Sequence, residues 1–501
     1  MKKFFKFYLA RVILTGLLAA LQLAMIIGCV CCAFYCAAAF RIILLAAAAV
    51  TALKISARTE FFPCKTGWTM GILALPAIFL PLYFFFGRGA SMKKIRRFAE
   101  EHPLDIPGVS PDLSDLPENI APQFRALESK GGFRSYSGTH CEYLSDGKYI
   151  FEKIKQTLEN AEHFIFMEFY ILNFGSMWDQ ILEILMRKAE SGVKVCILID
   201  DLGTICLLPE NFPRKLERLG IYCRRHNVFS PKLTSTINYR DHRKLVTADG
   251  RYAVICGANI ADEYINLISP YGYWKDTGVY LDGAAAASFC AMFTQMWKLN
   301  GGEMPVNASD LPLPQEHRSC GICLPFGDIP DQDRGCTETA FLNMINSAVK
   351  SVYITTPYLI PDCELTSALC RAAERGTDVR IITPLIPDKR YVHIMTRSSY
   401  VPLLRSGVRI YEYVPGFIHA KSMLCDGSLA YVGSANTDLR SLYLHFENGV
   451  LMYRCPACKQ LEKDLSELFE ISREVSLSDR IVISAQKSLL GKLLRLAAPL
   501  L

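Results

Sequence analysis

Acidic side chains are all but missing from the first fifth of this chain. Among residues 1–97 the one carboxylate is Glu60, set against thirteen Lys and Arg. That stretch carries +12, and because the whole chain is only +6, everything after residue 97 sums to −6. A mildly acidic remainder is the reverse of what a general nucleic-acid binder needs, so no nucleic-acid partner is expected. Charge of either sign is scarce, at 21% of residues against 51% hydrophobic, which excludes disorder for most of the length. Histidine is rare as well, nine in 501 residues, so a His that recurs at fixed spacing carries information. Cysteine is plentiful at nineteen, but Cys29, Cys31, Cys32 and Cys36 sit in an apolar run and Cys196, Cys256 and Cys425 in candidate buried strands. They read as reduced core thiols of a cytosol-facing protein. The pairs Cys320/Cys323 and Cys455/Cys458 lack further His or Cys at ligand spacing, so no metal is expected.

What the N-terminus has instead of acid is apolar length. From Val12 to Leu53 only Thr15, Gln22, Arg41 and Thr51 interrupt it, and a second run covers Trp68–Gly87. At about 20 residues per crossing this predicts two or three transmembrane helices, near 12–33, 36–53 and 68–87. The apolar core is too long for a cleavable signal peptide. The cluster Arg88, Lys93, Lys94, Arg96 and Arg97 then places the rest of the chain on the cytosolic face. Residues 1–97 read as a membrane anchor and 98–130, rich in Pro, Asp and Glu, as a linker.

Beyond the linker the chain repeats itself. Ala161–Tyr170 matches Val349–Tyr358 at an offset of 188, each a helix end running into a buried strand. Ala189–Leu198 matches Ala373–Ile382 at an offset of 184, each a helix, a Gly cap and a β-branched strand. Alternating helices and strands predict two tandem α/β domains, 131–315 and 316–480, with 481–501 as an amphipathic tail.

Each repeat ends in one constellation. The first has His242, Lys244 and Asp249, then Cys256, Gly257 and Asn259; the second has His419, Lys421 and Asp426, then Gly433, Ser434 and Asn436. The offset is 177 throughout. One HxKxxxxD is a weak signal; two, at matched spacing in a chain that already repeats, are a strong one. Alternate strand residues share a face, so each His and Lys point into one cavity while Arg243 and Ala420 point away. Two imidazoles and two ammonium groups across a pseudo-twofold axis suit a phosphodiester. One His attacks phosphorus while the other protonates the leaving alkoxide and then deprotonates the incoming nucleophile. Lys244, Lys421, Asn259 and Asn436 are candidates to hold the non-bridging oxygens. An acid beyond each motif, Asp276 or Glu447, is a candidate to orient the nearby His. Asp249 and Asp426 are counted with the catalytic set, and Ser434 with the phosphate-binding or orienting one. The seven other histidines, His445 among them, have no partner at motif spacing and read as structural or exposed.

These residues resemble the phospholipase D superfamily and, within it, the bacterial cardiolipin synthases. The resemblance spans the chain: Leu82–Arg88, Glu168–Tyr170, Thr356–Pro361, Ile410–Lys421, Asn436–Ser441, Glu447 and Leu493–Leu501 all fit. It implies two phospholipase-D-like domains behind transmembrane helices in a bacterial cell membrane. It also implies joining of two phosphatidylglycerols into cardiolipin with release of glycerol, through a phosphatidyl-histidine formed, by family habit, on His242. Anionic membrane lipids are then the partners and no cofactor is needed, while oligomeric state is left open. A phospholipase D or phosphatidylserine synthase shares this chemistry with another acceptor, and a nuclease is a more distant alternative. Cys256–Gly257 departs from the family's Gly-Gly or Gly-Ser. A position needing φ > 0 would be strained by Cys, whereas one needing only a small residue would tolerate it, which is the expectation here.

Overall fold

The computed structural model describes residues 38–57, 65–87, 90–229, 238–306, 317, 321–330 and 335–480, with scattered positions in 17–28 and at 482 and 484. The apolar segment expected at 12–33 and the tail 481–501 therefore fall mostly outside the described residues, as do Arg88 and Cys320.

Two mixed sheets carry the catalytic region. In spatial order the seven-stranded sheet runs His140–Leu144, Gly278–Asp282, Tyr252–Cys256, Lys244–Ala248, Phe164–Phe169, Lys194–Asp200 and Ile221–His226. The nine-stranded sheet repeats that order in Ile322–Asp328, Glu447–Tyr453, Leu429–Gly433, Ser422–Cys425, Ser351–Thr355, Asp378–Pro384 and Arg409–Tyr413. It adds Tyr136–Ser137 at one edge and Ser472–Val475 at the other. In both sheets the strand entering from the first helix pairs parallel with the next and antiparallel with the motif strand. The tandem α/β duplication is thus present strand for strand.

Strand Phe164–Phe169 is buried along its whole length, and its period of two sorts the core. Ile165, Met167 and Phe169 face the helices Gly147–Glu159 and Ser176–Glu190. Phe164 and Phe166 join a second cluster that continues through helix Ala286–Leu299 into the nine-stranded sheet. One apolar core therefore runs from half to half, so the halves are held as a unit.

Three expectations shift. Residues 98–130 contain helix Ala121–Gly131, whose Phe124 and Leu127 are fully buried in that shared core. The Pro- and acid-rich composition of the segment hides those two apolar anchors. Tyr136–Ser137 pairs with Ile322–Cys323, so the start of the expected first domain belongs to the second sheet. The run 68–87 is broken into helices Lys65–Ala74 and Pro76–Leu82 and a π-helical turn Tyr83–Gly87, because Pro76 opens a new helix rather than continuing the old one. With helix Ala38–Ser56 these form a small bundle around Ala48, Ile55, Ile72, Leu80 and Tyr83. Among the described residues no helix is long and apolar enough to cross a membrane.

Candidate active site

His242 and His419 each stand two residues ahead of their motif lysine on extended backbone anchored across the halves. The His242 amide donates to the Phe446 carbonyl at 3.0 Å, and the His419 amide to the Lys275 carbonyl at 2.7 Å. A two-stranded parallel ladder, Tyr273–Lys275 with Gly416–Ile418, carries the second of these connections.

The same crossing governs the orienting acids. His242 Nδ1 lies 2.9 and 3.1 Å from the two Glu447 carboxylate oxygens, and His419 Nδ1 lies 2.7 Å from Asp276 Oδ2. Each half supplies the acid for the other half's histidine. A carboxylate only accepts, so Nδ1 carries the proton in both rings and Nε2 keeps its lone pair. Ser434 Oγ donates to Glu447 at 2.5 Å. Asp276 also accepts from Thr277 N–H at 3.0 Å and Trp274 Nε1–H at 3.3 Å. Gly257 occupies Ser434's equivalent place because a Cβ there would sit 2.1 Å from Asp276 Oδ1.

Burial dominates the electrostatics. It pushes His242 well below its ordinary value despite Glu447, and His419 to about 4 despite Asp276. Lys244 is brought down to about 7 and Lys421 to about 8, again by burial first. Burial works to raise Glu447 and Asp276, but the neighbouring histidines and lysines win and both stay below the usual carboxylate range. The site thus sets two fixed anions beside four bases whose protonated forms burial disfavours, and a bound anion would favour their protonation. Each lysine donates to the carbonyl of its own motif histidine, Lys244 at 2.5 Å. Aromatic rings wall the imidazoles: Tyr170 lies 5.3 Å from His242, and Trp274 and Tyr264 lie 5.2 and 5.9 Å from His419.

The remaining expected residues separate into groups. Asp249 and Asp426 are placed away from the histidines, at the far end of their strands, roughly 17 Å beyond the motif lysines by five residues of extended chain. Asp249 (φ 55°) accepts the Glu162, His163 and Phe164 amides, and Asp426 (φ 51°) those of Val349, Lys350 and Ser351. They tie the motif strand to its neighbour and act as positioning residues. Asn259 is consumed structurally, accepting from Ile171 N–H and donating to the Tyr264 hydroxyl. Asn436 lines the cavity and donates to Asp438. Arg243 points away as expected, toward Glu168 and the Glu447 and Asp328 carbonyls, and Ala420 is fully buried. Cys256 ends a regular strand without positive φ. It faces Gly278, where a Cβ would come within 2.8 Å of the Cys256 Cβ, so the opposite strand makes the room.

One residue read as structural is in the site. His445 lies 5.4 Å ring to ring from His242 and 3.7 Å from Glu447 Oε1. His242, His445 and Glu447 bring their ligand atoms within 4.8 Å, close enough to grip a metal ion. The i, i+2 rule that paired His242 with Lys244 would have found it, since 445 and 447 share a face of the extended chain. Together with Tyr170, Arg240, Tyr358, Lys389, Tyr391 and Arg440, it lines a cavity of about 270 Å³ at His242.

A duplicated α/β sheet carrying two crossed acid–imidazole pairs and two buried lysines, with His242 on the wall of a cavity, defines a phosphodiester-processing site of the phospholipase D type. Comparison agrees. The domain family described as "Cardiolipin synthase, PLD-like domain" matches residues 341–469. The cardiolipin synthase of Alkalihalophilus pseudofirmus is 34% identical over 429 residues, 83% of this chain and 85% of that one. An uncharacterized protein of Streptococcus mutans is 39% identical over 375 residues, 75% of this chain and 81% of that one. The crystal structure of phosphatidylserine synthase from Haemophilus influenzae superposes with a TM-score of 0.57 at 17% identity, over 75% of this chain and 98% of that one, a likeness of fold. The chain belongs to the cardiolipin synthase family.

Proposed function

We propose that the chain is a phosphatidyltransferase that converts two phosphatidylglycerol molecules into cardiolipin and glycerol. The observation that carries this is the crossed pair of acid-oriented imidazoles, His242 with Glu447 and His419 with Asp276. In the first step the Nε2 lone pair of one histidine forms a bond to the donor's phosphorus. The phosphorus–oxygen bond to the glycerol headgroup breaks, and the departing oxygen takes the Nε2 proton of the other histidine, which enters this step as an imidazolium favoured by the bound phosphodiester and its own carboxylate. In the second step that histidine removes the proton from a terminal hydroxyl of the acceptor lipid. The hydroxyl oxygen bonds to phosphorus and the phosphorus–nitrogen bond breaks. Lys244 and Lys421 balance the charge that grows on the non-bridging oxygens. We assign the nucleophile to His242, the ring that borders the cavity.

The N-terminal helices serve as the anchor in this reading. Ile42, Ile43, Leu45 and Leu53 are 58–69% exposed, as are Met70 and Phe85 at 61%, an apolar surface that suits acyl chains. In the following helix Arg96 and Arg97 pair with Glu100 and Glu101, which leaves Lys93 and Lys94 to meet an anionic cytosolic leaflet at about 1 kcal/mol each.

Incubating the purified full-length protein with phosphatidylglycerol and resolving the products by mass tests the proposal. Cardiolipin and glycerol together support it. Phosphatidic acid as the sole lipid product would move the protein to the hydrolases, and no turnover would overturn the choice of donor.

A further inference from the structure

The two halves share histidines, lysines and acids, but their surroundings differ. Counting back 177 residues, Arg440 corresponds to Glu263 and Asp438 to Ala261; by the 184-residue offset Lys389 corresponds to Ile205. The pseudo-twofold axis is therefore broken in charge, and both extra cations border the cavity from the second half. Arg240 also borders it but is committed to Asp200, 3.4 Å away.

Arg440 is held in place. It is the second residue of helix Leu439–Tyr443, where Asp438 Oδ1 accepts the Arg440 and Ser441 amides at 2.9 Å. Its Nε lies 3.4 Å from His445 Nε2, and the His445 ring is 5.4 Å from that of His242. Arg440 thus stands one imidazole away from a reacting histidine. Lys389 precedes helix Arg390–Ser398, with its ammonium 5.6 Å from the Tyr358 ring centre. On the same cavity Ile360, Val392 and Met395 pack into a small apolar cluster with Leu439 at its edge.

A two-step transfer between identical lipids needs a place for a second phosphate. The transferred phosphate is met by Lys244 and Lys421, and the acceptor brings a phosphodiester of its own. In phosphatidylglycerol five bonds of roughly 1.5 Å separate that phosphorus from the terminal hydroxyl oxygen, a reach of about 6 Å allowing for bond angles. That is the scale of the 5.4 Å between the His445 ring, which Arg440 contacts, and the His242 ring. We propose that Arg440 and Lys389 hold the phosphodiester of the acceptor lipid, so that its terminal hydroxyl reaches the phosphorus on the histidine, with the Ile360–Val392–Met395 cluster taking the first carbons of its chains. This rests on the transferase reading above and adds to it how a lipid acceptor is chosen over water or a neutral alcohol.

The test compares wild type, Arg440→Gln, Lys389→Gln and Arg440→Lys, all full length in mixed micelles of phosphatidylglycerol. Early glycerol release reports the donor step; the ratio of cardiolipin to phosphatidic acid reports the acceptor step; added ethanol supplies an acceptor without phosphate. The expected result is a tenfold or greater fall in the cardiolipin to phosphatidic acid ratio in each glutamine variant. The cardiolipin to phosphatidylethanol ratio falls alongside it, and Arg440→Lys recovers part of both. An unchanged ratio, or glycerol release and cardiolipin falling in parallel, overturns the subsite. A wild type that releases glycerol but makes no cardiolipin overturns the parent reading instead, so the two failures are distinct.

Discussion

Asp276→Asn changes one atom, and its effect can be worked from the three donors around the carboxylate. Oδ2 accepts from His419 Nδ1–H at 2.7 Å and Trp274 Nε1–H at 3.3 Å, while Oδ1 accepts from Thr277 N–H at 3.0 Å. An amide offers one acceptor and one donor, so some donor must face a donor. With the NH₂ toward His419, the imidazole has to move its proton to Nε2 and loses the lone pair that the chemistry uses. With the NH₂ toward Thr277, it opposes a fixed backbone N–H. The lost charged hydrogen bond alone is about 1.5–3 kcal/mol, or 10- to 150-fold at 1.36 kcal/mol per decade. The tautomer change adds to it, and comparable triad substitutions cost about 10⁴-fold. We expect kcat to fall about 10³- to 10⁴-fold with KM little changed, read as glycerol release under single turnover. The distinctive readout is titration of the two imidazoles by NMR. Losing the Asp276 charge, which favours the protonated ring, takes His419 further below about 4. His242, paired with Glu447, keeps its titration. A loss of less than tenfold, or a change at His242 with His419 intact, would refute the crossed arrangement.

Asp249→Ala and Asp426→Ala each remove a carboxylate that holds three backbone amides and should cost about 3 kcal/mol by thermal unfolding, with most kcat kept in the folded fraction; a kcat collapse in fully folded protein would restore a chemical role. Burial lowers Lys244 and Lys421 from 10.5 to about 7 and about 8, so the unfolded chain binds more protons across that interval and stability rises with pH from about 7 toward 10. Inorganic phosphate, which draws the protons back, should then raise Tm more at pH 7 than at pH 9; an equal or larger rise at pH 9 contradicts the assignment. Cys256→Gly should cost about 1–2 kcal/mol in lost packing and strand entropy and bring no gain in turnover; a rise in kcat would show that the thiol obstructs the site.

Much of this site was legible before any coordinates. Rare histidines at matched spacing mark the two motifs, and the period of two agrees with Arg243 turning to Glu168 and the Glu447 and Asp328 carbonyls. The reach of that argument ends at the next strand. Spacing shows which face His242 occupies but not which acid, 205 residues away, stands across from it; that follows from how the two sheets meet. Asp249 and Asp426 belong to the motif by sequence, yet strand geometry puts them a strand-length away, where positive φ and three amides give them work as turn anchors. His445 has no partner at motif spacing, and only its alternation with Glu447 marks it in the sequence. The acid- and proline-rich composition of 98–130 concealed a helix because Phe124 and Leu127, two residues in a polar stretch, carry its burial.

The crossing of acid and histidine also sets when the protein becomes active during its synthesis. A ribosome that has delivered residues 1–300 has made His242, Lys244 and Asp276, but none of these yet serves a working histidine. His242 waits for Glu447 and Asp276 waits for His419. A product cut short between Asp276 and His419 therefore carries a whole first motif and no acid-oriented histidine, so a chain truncated or stalled there stays inert toward phosphodiesters.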